Sequence, residues 1–135
     1  RLLYMVAPNH PLAAWDGPVP AAELRRHRAV AIADTSRELV ARNAGLLEGQ
    51  DALRVPDMQN KAAAQAAGLG VGHLPRWLAE REAGAGRLVE KPLAEPRPPM
   101  PLHMAWRTRN TGKALAWFRA ELEEIGEIEA LTAGL

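Results

Sequence analysis

Two short polar stretches directly follow apolar, strand-like runs, and their residue types suit the holding of a small molecule. Ala29-Val30-Ala31-Ile32-Ala33 leads into Asp34-Thr35-Ser36, and Ala52-Leu53-Arg54-Val55 leads through Pro56 into Asp57-Met58-Gln59. In open α/β sheets the carboxyl ends of parallel strands line a crevice, and ligands settle there. The hydroxyls of Thr35 and Ser36 can orient a ligand without carrying charge. Asp57 suits the N-cap of the Ala-rich stretch that follows it, and free amides in a first helical turn favour an anion. Thr35, Ser36, Asp57, Met58 and Gln59 are therefore the predicted ligand-contacting residues, and the predicted ligand is a small anionic metabolite. The plainer alternative is that Thr35 and Ser36 cap a turn and Asp57 caps only its helix.

Other chemistry is poorly represented. The absence of cysteine removes disulfides, thiolate metal sites and a cysteine nucleophile. His10, His27, His73 and His103 show no metal-ligand spacing. No serine occupies a Gly-x-Ser-x-Gly elbow, and no carboxylate pair marks a hydrolytic site. Gly68-Leu69-Gly70-Val71-Gly72 invites a phosphate-loop reading, yet its glycines follow a helix and enter a strand, the reverse of a dinucleotide fingerprint. They end the helix and permit tight packing. The expectation is a binding module, with no enzymatic activity, metal or cofactor.

The elements that must position these residues alternate between strand and helix. Leu2 to Ala7 reads as a buried strand stopped by Pro8 and Asn9. A proline-interrupted loop and a short helix over Ala21 to His27 precede the strand 29–33. Glu48-Gly49 marks a turn before the returning strand 52–55. Asp57 opens a helix ended by Gly68 in a left-handed conformation. Gly70 to Leu74 is a strand, Pro75 opens the helix Arg76 to Glu82, and Arg87 to Lys91 is a further strand. A proline-rich link, a strand over Leu102 to Trp106 and a helix over 111–125 complete the chain. Leu115, Phe118, Leu122 and Ile125 form one face of that helix. Met58, Trp77, Trp106, Trp117 and Phe118 are read as core or interface residues, and His73 as a packed strand residue. The alternation predicts an α/β fold with a mainly parallel sheet flanked by helices.

Three stretches carry a family resemblance. The first is Leu3-Tyr4-Met5-Val6-Ala7-Pro8-Asn9-His10-Pro11-Leu12-Ala13. The second is Val55-Pro56-Asp57-Met58 running on to Ala67-Gly68-Leu69-Gly70-Val71-Gly72-His73-Leu74-Pro75. The third is Gly86-Arg87-Leu88-Val89, the proline-rich link, and a helix containing Ala114-Leu115 and Trp117-Phe118. In this order they resemble the effector-binding (substrate-binding) domain of LysR-type transcriptional regulators over nearly the whole chain. The resemblance implies a periplasmic-binding-protein-like architecture, in which two α/β subdomains are joined by crossing strands. It places the first crossing at 1–7, the second regulatory subdomain at 8–100 and the second crossing at 101–110. Residues 111–126 become a helix of the first subdomain, and 127–135 a tail. It puts the hinge at Val6, Ala7, Ala105 and Trp106. It also implies that a hydroxyl at Thr35 or Ser36 contacts the effector, and that operator DNA is bound only through an N-terminal helix-turn-helix outside this segment. Dimers or tetramers are the implied assembly. The segment 38–55 departs from the pattern, lacking the clear helix that many members have there.

Bulk properties agree. With 17 basic and 16 acidic residues the formal charge is +1, without the basic excess of a chain that grips nucleic acid itself. Arg25-Arg26-His27-Arg28 reads as a solvated helix end. No apolar run reaches the roughly 18–20 residues of a membrane span, and the first residues lack the order of a signal peptide. The expected setting is cytoplasmic, with the chain taken from the middle of a longer protein. A periplasmic-type solute-binding domain is the competing reading, because the fold is shared.

Overall fold

A computed structural model describes residues 1–33, 46–96, 105–107 and 112–125 of the 135-residue chain. It separates into two units, one spanning 2–97 and the other built on 98–135.

The larger unit contains five strands. β1 (Leu2–Val6) pairs antiparallel with β4 (Gly72–Pro75) on one side and β5 (Val89–Glu90) on the other. β2 (Ala29–Ile32) and β3 (Ala52–Val55) form a parallel ladder with Ile32 opposite Val55. Val71, just ahead of β4, joins the two groups. The Val30 amide donates to the Val71 carbonyl at 2.8 Å, and the Val71 amide donates to the Arg28 carbonyl at 2.9 Å. The spatial order is therefore β3-β2-β4-β1-β5. Four strands share one direction and β1 alone runs against them, so the sheet is mainly parallel, as expected, with one antiparallel member. Helical crossovers explain the parallel members. α2 (Met58–Ala66) carries the chain from β3 back to β4, and α3 (Arg76–Gly84) carries it from β4 back to β5. The connection from β1 to β2 includes only the four-residue helix α1 (Ala21–Leu24) and a 3-10 turn at Pro11–Ala14. It starts and finishes at the same edge of the sheet, so β1 has the opposite sense.

The glycines around Val71 follow from this close pairing. A Cβ on Gly70 would lie 2.7 Å from the Arg28 carbonyl oxygen, and one on Gly72 would lie 3.3 Å from that of Val30. Gly68 ends α2 with φ +73°, the left-handed conformation expected of a helix-terminating glycine. Alternation along β1 sends Tyr4 and Val6 to one face of the sheet and Met5 to the other. Tyr4 and Val6 meet Leu12, Val19, Leu24 and Val71; Met5 meets Ala62, Leu74, Leu78, Ala79 and Leu88 beneath α2 and α3. Met58 and Trp77 pack against the second cluster.

In the smaller unit, α4 (Lys113–Ile125) leaves Trp117 62% and Phe118 54% exposed. The guanidinium of Arg119 lies 4.2 Å from the ring centre of Trp106. Residues 102–104 of the expected strand 102–106 lie outside the described residues, and Ala105 and Trp106 belong to no strand. Of the other residues expected at the hinge, Val6 and Ala7 are fully buried.

Gly70→Ala should destabilise the chain by about 1–3 kcal/mol, because backbone must move to admit the methyl group. Urea unfolding measures this, and Gly84→Ala, which meets nothing within 4 Å, serves as the control.

Candidate ligand site at the strand ends

The parallel register of β2 and β3 brings their carboxyl ends to the same edge. Beyond the last paired residues, the Ala33 amide donates to the Val55 carbonyl at 2.8 Å. Asp34, Thr35 and Ser36 follow immediately but lie outside the described residues, so the structure describes only the β3 half of the predicted site.

That half is well defined. Asp57 is extended (φ −150°, ψ 179°) and caps α2. Its Oδ1 accepts from the Asn60 amide at 2.8 Å, and Oδ2 accepts from Asn60 Nδ2 at the same distance. These hydrogen bonds, the backbone one first, hold the Asp57 carboxyl below its usual range. The cap uses a first-turn donor that an anion would otherwise take, and it adds a negative charge there. An ionised carboxylate has about four acceptor positions, so Asp57 can still accept from a ligand hydroxyl or N–H. Met58 is half-buried and turns toward the core. Gln59 is exposed, and its Oε1 accepts from Arg81 Nη2 of α3 at 3.0 Å. The three residues are thus contiguous at the helix start, but their side chains take different directions.

Sequence reading missed the polar side chains of the buried face of α2. Lys61 is 8% exposed and Gln65 is completely buried. The available signal was their four-residue spacing from Asp57, which places 57, 61 and 65 along one helical row. The rest of the helix is largely alanine, so no apolar stripe revealed which row faced inward. Among the described residues no group of three His, Asp or Glu side chains is arranged to hold a metal ion. No described helix is long and apolar enough to cross a membrane.

An α/β subdomain with strand ends collected at one edge is the architecture of periplasmic-binding-protein-like ligand domains. A sequence profile described as the LysR substrate binding domain matches residues 1–126, and the chain belongs to that family. It is 40% identical over 112 residues to the HTH-type transcriptional activator AllS of Salmonella paratyphi A, covering 83% of this chain and 36% of that protein. It is 35% identical over 120 residues to YeeY of Escherichia coli K12, an uncharacterised HTH-type transcriptional regulator, covering 89% of this chain and 39% of YeeY. The chain therefore spans well under half the length of these relatives. The effector-binding domain of QuiR, solved in complex with shikimate, shares the fold with a TM-score of 0.53 at 18% identity. That match covers 72% of this chain and 46% of the other.

The Asp57 cap has a pH signature. A carboxyl whose folded pKa is depressed stabilises the fold above its unfolded pKa, and the contribution is lost as pH falls through the folded value. Asp57→Ala should lower Tm at neutral pH, and the difference from the unsubstituted chain should shrink on acidification below the ordinary carboxylate range. Thermal melts across that range test this.

Proposed function

We propose that this effector-binding domain senses a small anionic metabolite at the carboxyl edge of β2 and β3 and signals its presence to a DNA-binding module elsewhere in the same polypeptide. The observation that carries the proposal is the parallel register that delivers Ala33 beside Val55. Ala33, which Asp34-Thr35-Ser36 follow in the chain, and Val55, which leads into Asp57-Met58-Gln59, thus lie side by side at one edge. Thr35 and Ser36 supply hydroxyls and Met58 a first-turn amide. Asp57 supplies an acceptor, so a ligand bearing a hydroxyl as well as its anionic group suits the edge better than a bare anion.

The regulator reading is favoured over a solute-binding protein because AllS and YeeY are both transcriptional regulators. A ligand shifts a two-state equilibrium only by its difference in affinity for the two states. Signalling therefore requires that the edge formed by β2 and β3 meet the ligand in one arrangement of the full-length protein and not in the other. Val6, Ala7, Ala105 and Trp106 are the proposed hinge, and operator DNA is the proposed target of the DNA-binding module.

The proposal has two tests. Once a thermal-shift screen of metabolites on the full-length protein has found a stabilising compound, Thr35→Ala/Ser36→Ala should weaken its Kd about tenfold or more, the loss expected for hydrogen bonds to a charged group. Unchanged affinity by calorimetry would remove both residues from the site. The exposed Trp117 and Phe118 of α4 also form an apolar surface of the kind that drives association. We propose that a second copy covers it in this chain when isolated. Sedimentation should then show concentration-dependent association that Phe118→Asp abolishes.

A further inference from the structure

The loop that follows β1 lies at the edge of the sheet opposite the strand-end site. β1 runs against its neighbours, so its carboxyl end shares an edge with the starts of β2 and β3. There the loop meets the end of α1. The rings of His10 and His27 stand 4.8 Å apart, centre to centre, with 64° between their planes.

His10 holds the loop in place. Its Nδ1 accepts from the Leu12 amide at 3.2 Å and so caps the 3-10 turn Pro11–Ala14. Backbone bonds close the same turn: the His10 amide donates to the Ala7 carbonyl at 3.0 Å, and the Ala13 amide donates to the His10 carbonyl at 2.8 Å. Leu12 is thereby held in the core with Tyr4, Val6 and Leu24. A neutral imidazole accepts at Nδ1 only when its proton is on Nε2, and an imidazolium has two donors and no acceptor. Cap and charge on His10 therefore exclude each other. Serine or asparagine would cap the turn without this restriction.

His27 places a second titratable ring against the first. Its Nε2 lies 3.1 Å from Glu23 Oε1, with the side chains 17% and 18% exposed. Among the described residues no carboxylate bonds His10 in the same way. Burial first, and then the charge of His27, hold the His10 imidazole below the usual histidine range. The other charged groups nearby are engaged elsewhere or face solvent. Arg26 donates to Glu23 at 3.3 Å, and Arg28 pairs with Asp51 at 2.7 Å. Lys91 Nζ donates to the carbonyls of Ala13 and Trp15 at 3.2 and 2.8 Å. Asp16 and Arg25 are exposed.

We propose that His10 and His27 form a proton-operated latch on the loop 8–15, closed while neutral His10 caps the Leu12 amide and opened when His10 takes a proton and is repelled by a charged His27. The loop is continuous with β1, and Leu12 packs with Tyr4 and Val6 of that strand. Opening therefore loosens the strand that pairs with both β4 and β5. An unfolded chain holds the His10 proton more tightly than the folded one. The latch thus stabilises the fold above the ordinary histidine range, and that contribution is lost as pH falls below it. The device needs no ligand at the strand ends.

Mass spectrometry on the full-length protein tests the latch. Deuterium exchange at the imidazole Cε1–H follows the titration of each histidine. Amide exchange, corrected for its intrinsic pH dependence, follows the loop. Protection of the amides of 12–15 should fall about tenfold as His10 takes its proton, the loss expected of one cap. His10→Asn, which caps without titrating, should keep that protection over the same range. His27→Gln removes the opposing charge and should move both the His10 titration and the loss of protection to higher pH. The proposal is overturned by any of three results: steady protection while His10 titrates, a His10→Asn loop that opens over the same pH range as the unsubstituted one, or an unmoved His10 titration in His27→Gln.

Discussion

The larger unit depends on a single pair of backbone hydrogen bonds. Val71 accepts from Val30 and donates to Arg28, and through it the β2–β3 ladder joins the three strands ordered around β1. Without this join, β2 and β3 would form an isolated two-stranded ribbon, which is marginal in water. The join requires backbones to approach more closely than side chains allow, and Gly70 and Gly72 on either side of Val71 meet that requirement. A motif that looks like a phosphate loop in the one-letter sequence is, in three dimensions, the place where two ladders meet.

From that join the functional geometry follows. β2 is fixed beside β4, β3 is fixed beside β2 in parallel register, and the chain leaves both strands at one edge. α2 starts at that edge and lies across the sheet, with Ala62 in the core beside Met5 and Leu74. The same helix presents Asp57 to the edge and Lys61 and Gln65 to the interior.

Much of this was legible in the sequence because local rules sufficed. Asp57 as a cap and Gly68 as a left-handed terminator bound α2 on both sides, and Pro75 marked the start of α3. The strand 52–55 was readable from its apolar run and the Glu48-Gly49 turn, whose Gly49 has φ +76°. The strand expected over 87–91 pairs with β1 only at Val89 and Glu90, since pairing length depends on the neighbour. The reversed sense of β1 could not be read, because strand direction is a property of pairs distant in sequence. Nor could the burial of Lys61 and Gln65, because an alanine-rich helix has no strong apolar face to set its rotation. Trp117 and Phe118, expected in the core or at an interface, are both exposed, so neither is a core residue. Thr35 and Ser36 lie outside the described residues and stand on the sequence argument and the register of the strands that lead to them.

Hydrogen exchange on the full-length protein, with and without a metabolite that raises its Tm, reaches the central claim most directly. Ligand held at the edge of β2 and β3 should slow exchange at the amides of 34–36 and 57–59 and leave those of α3 unchanged. Slowing confined to segments away from both strand ends would contradict the account.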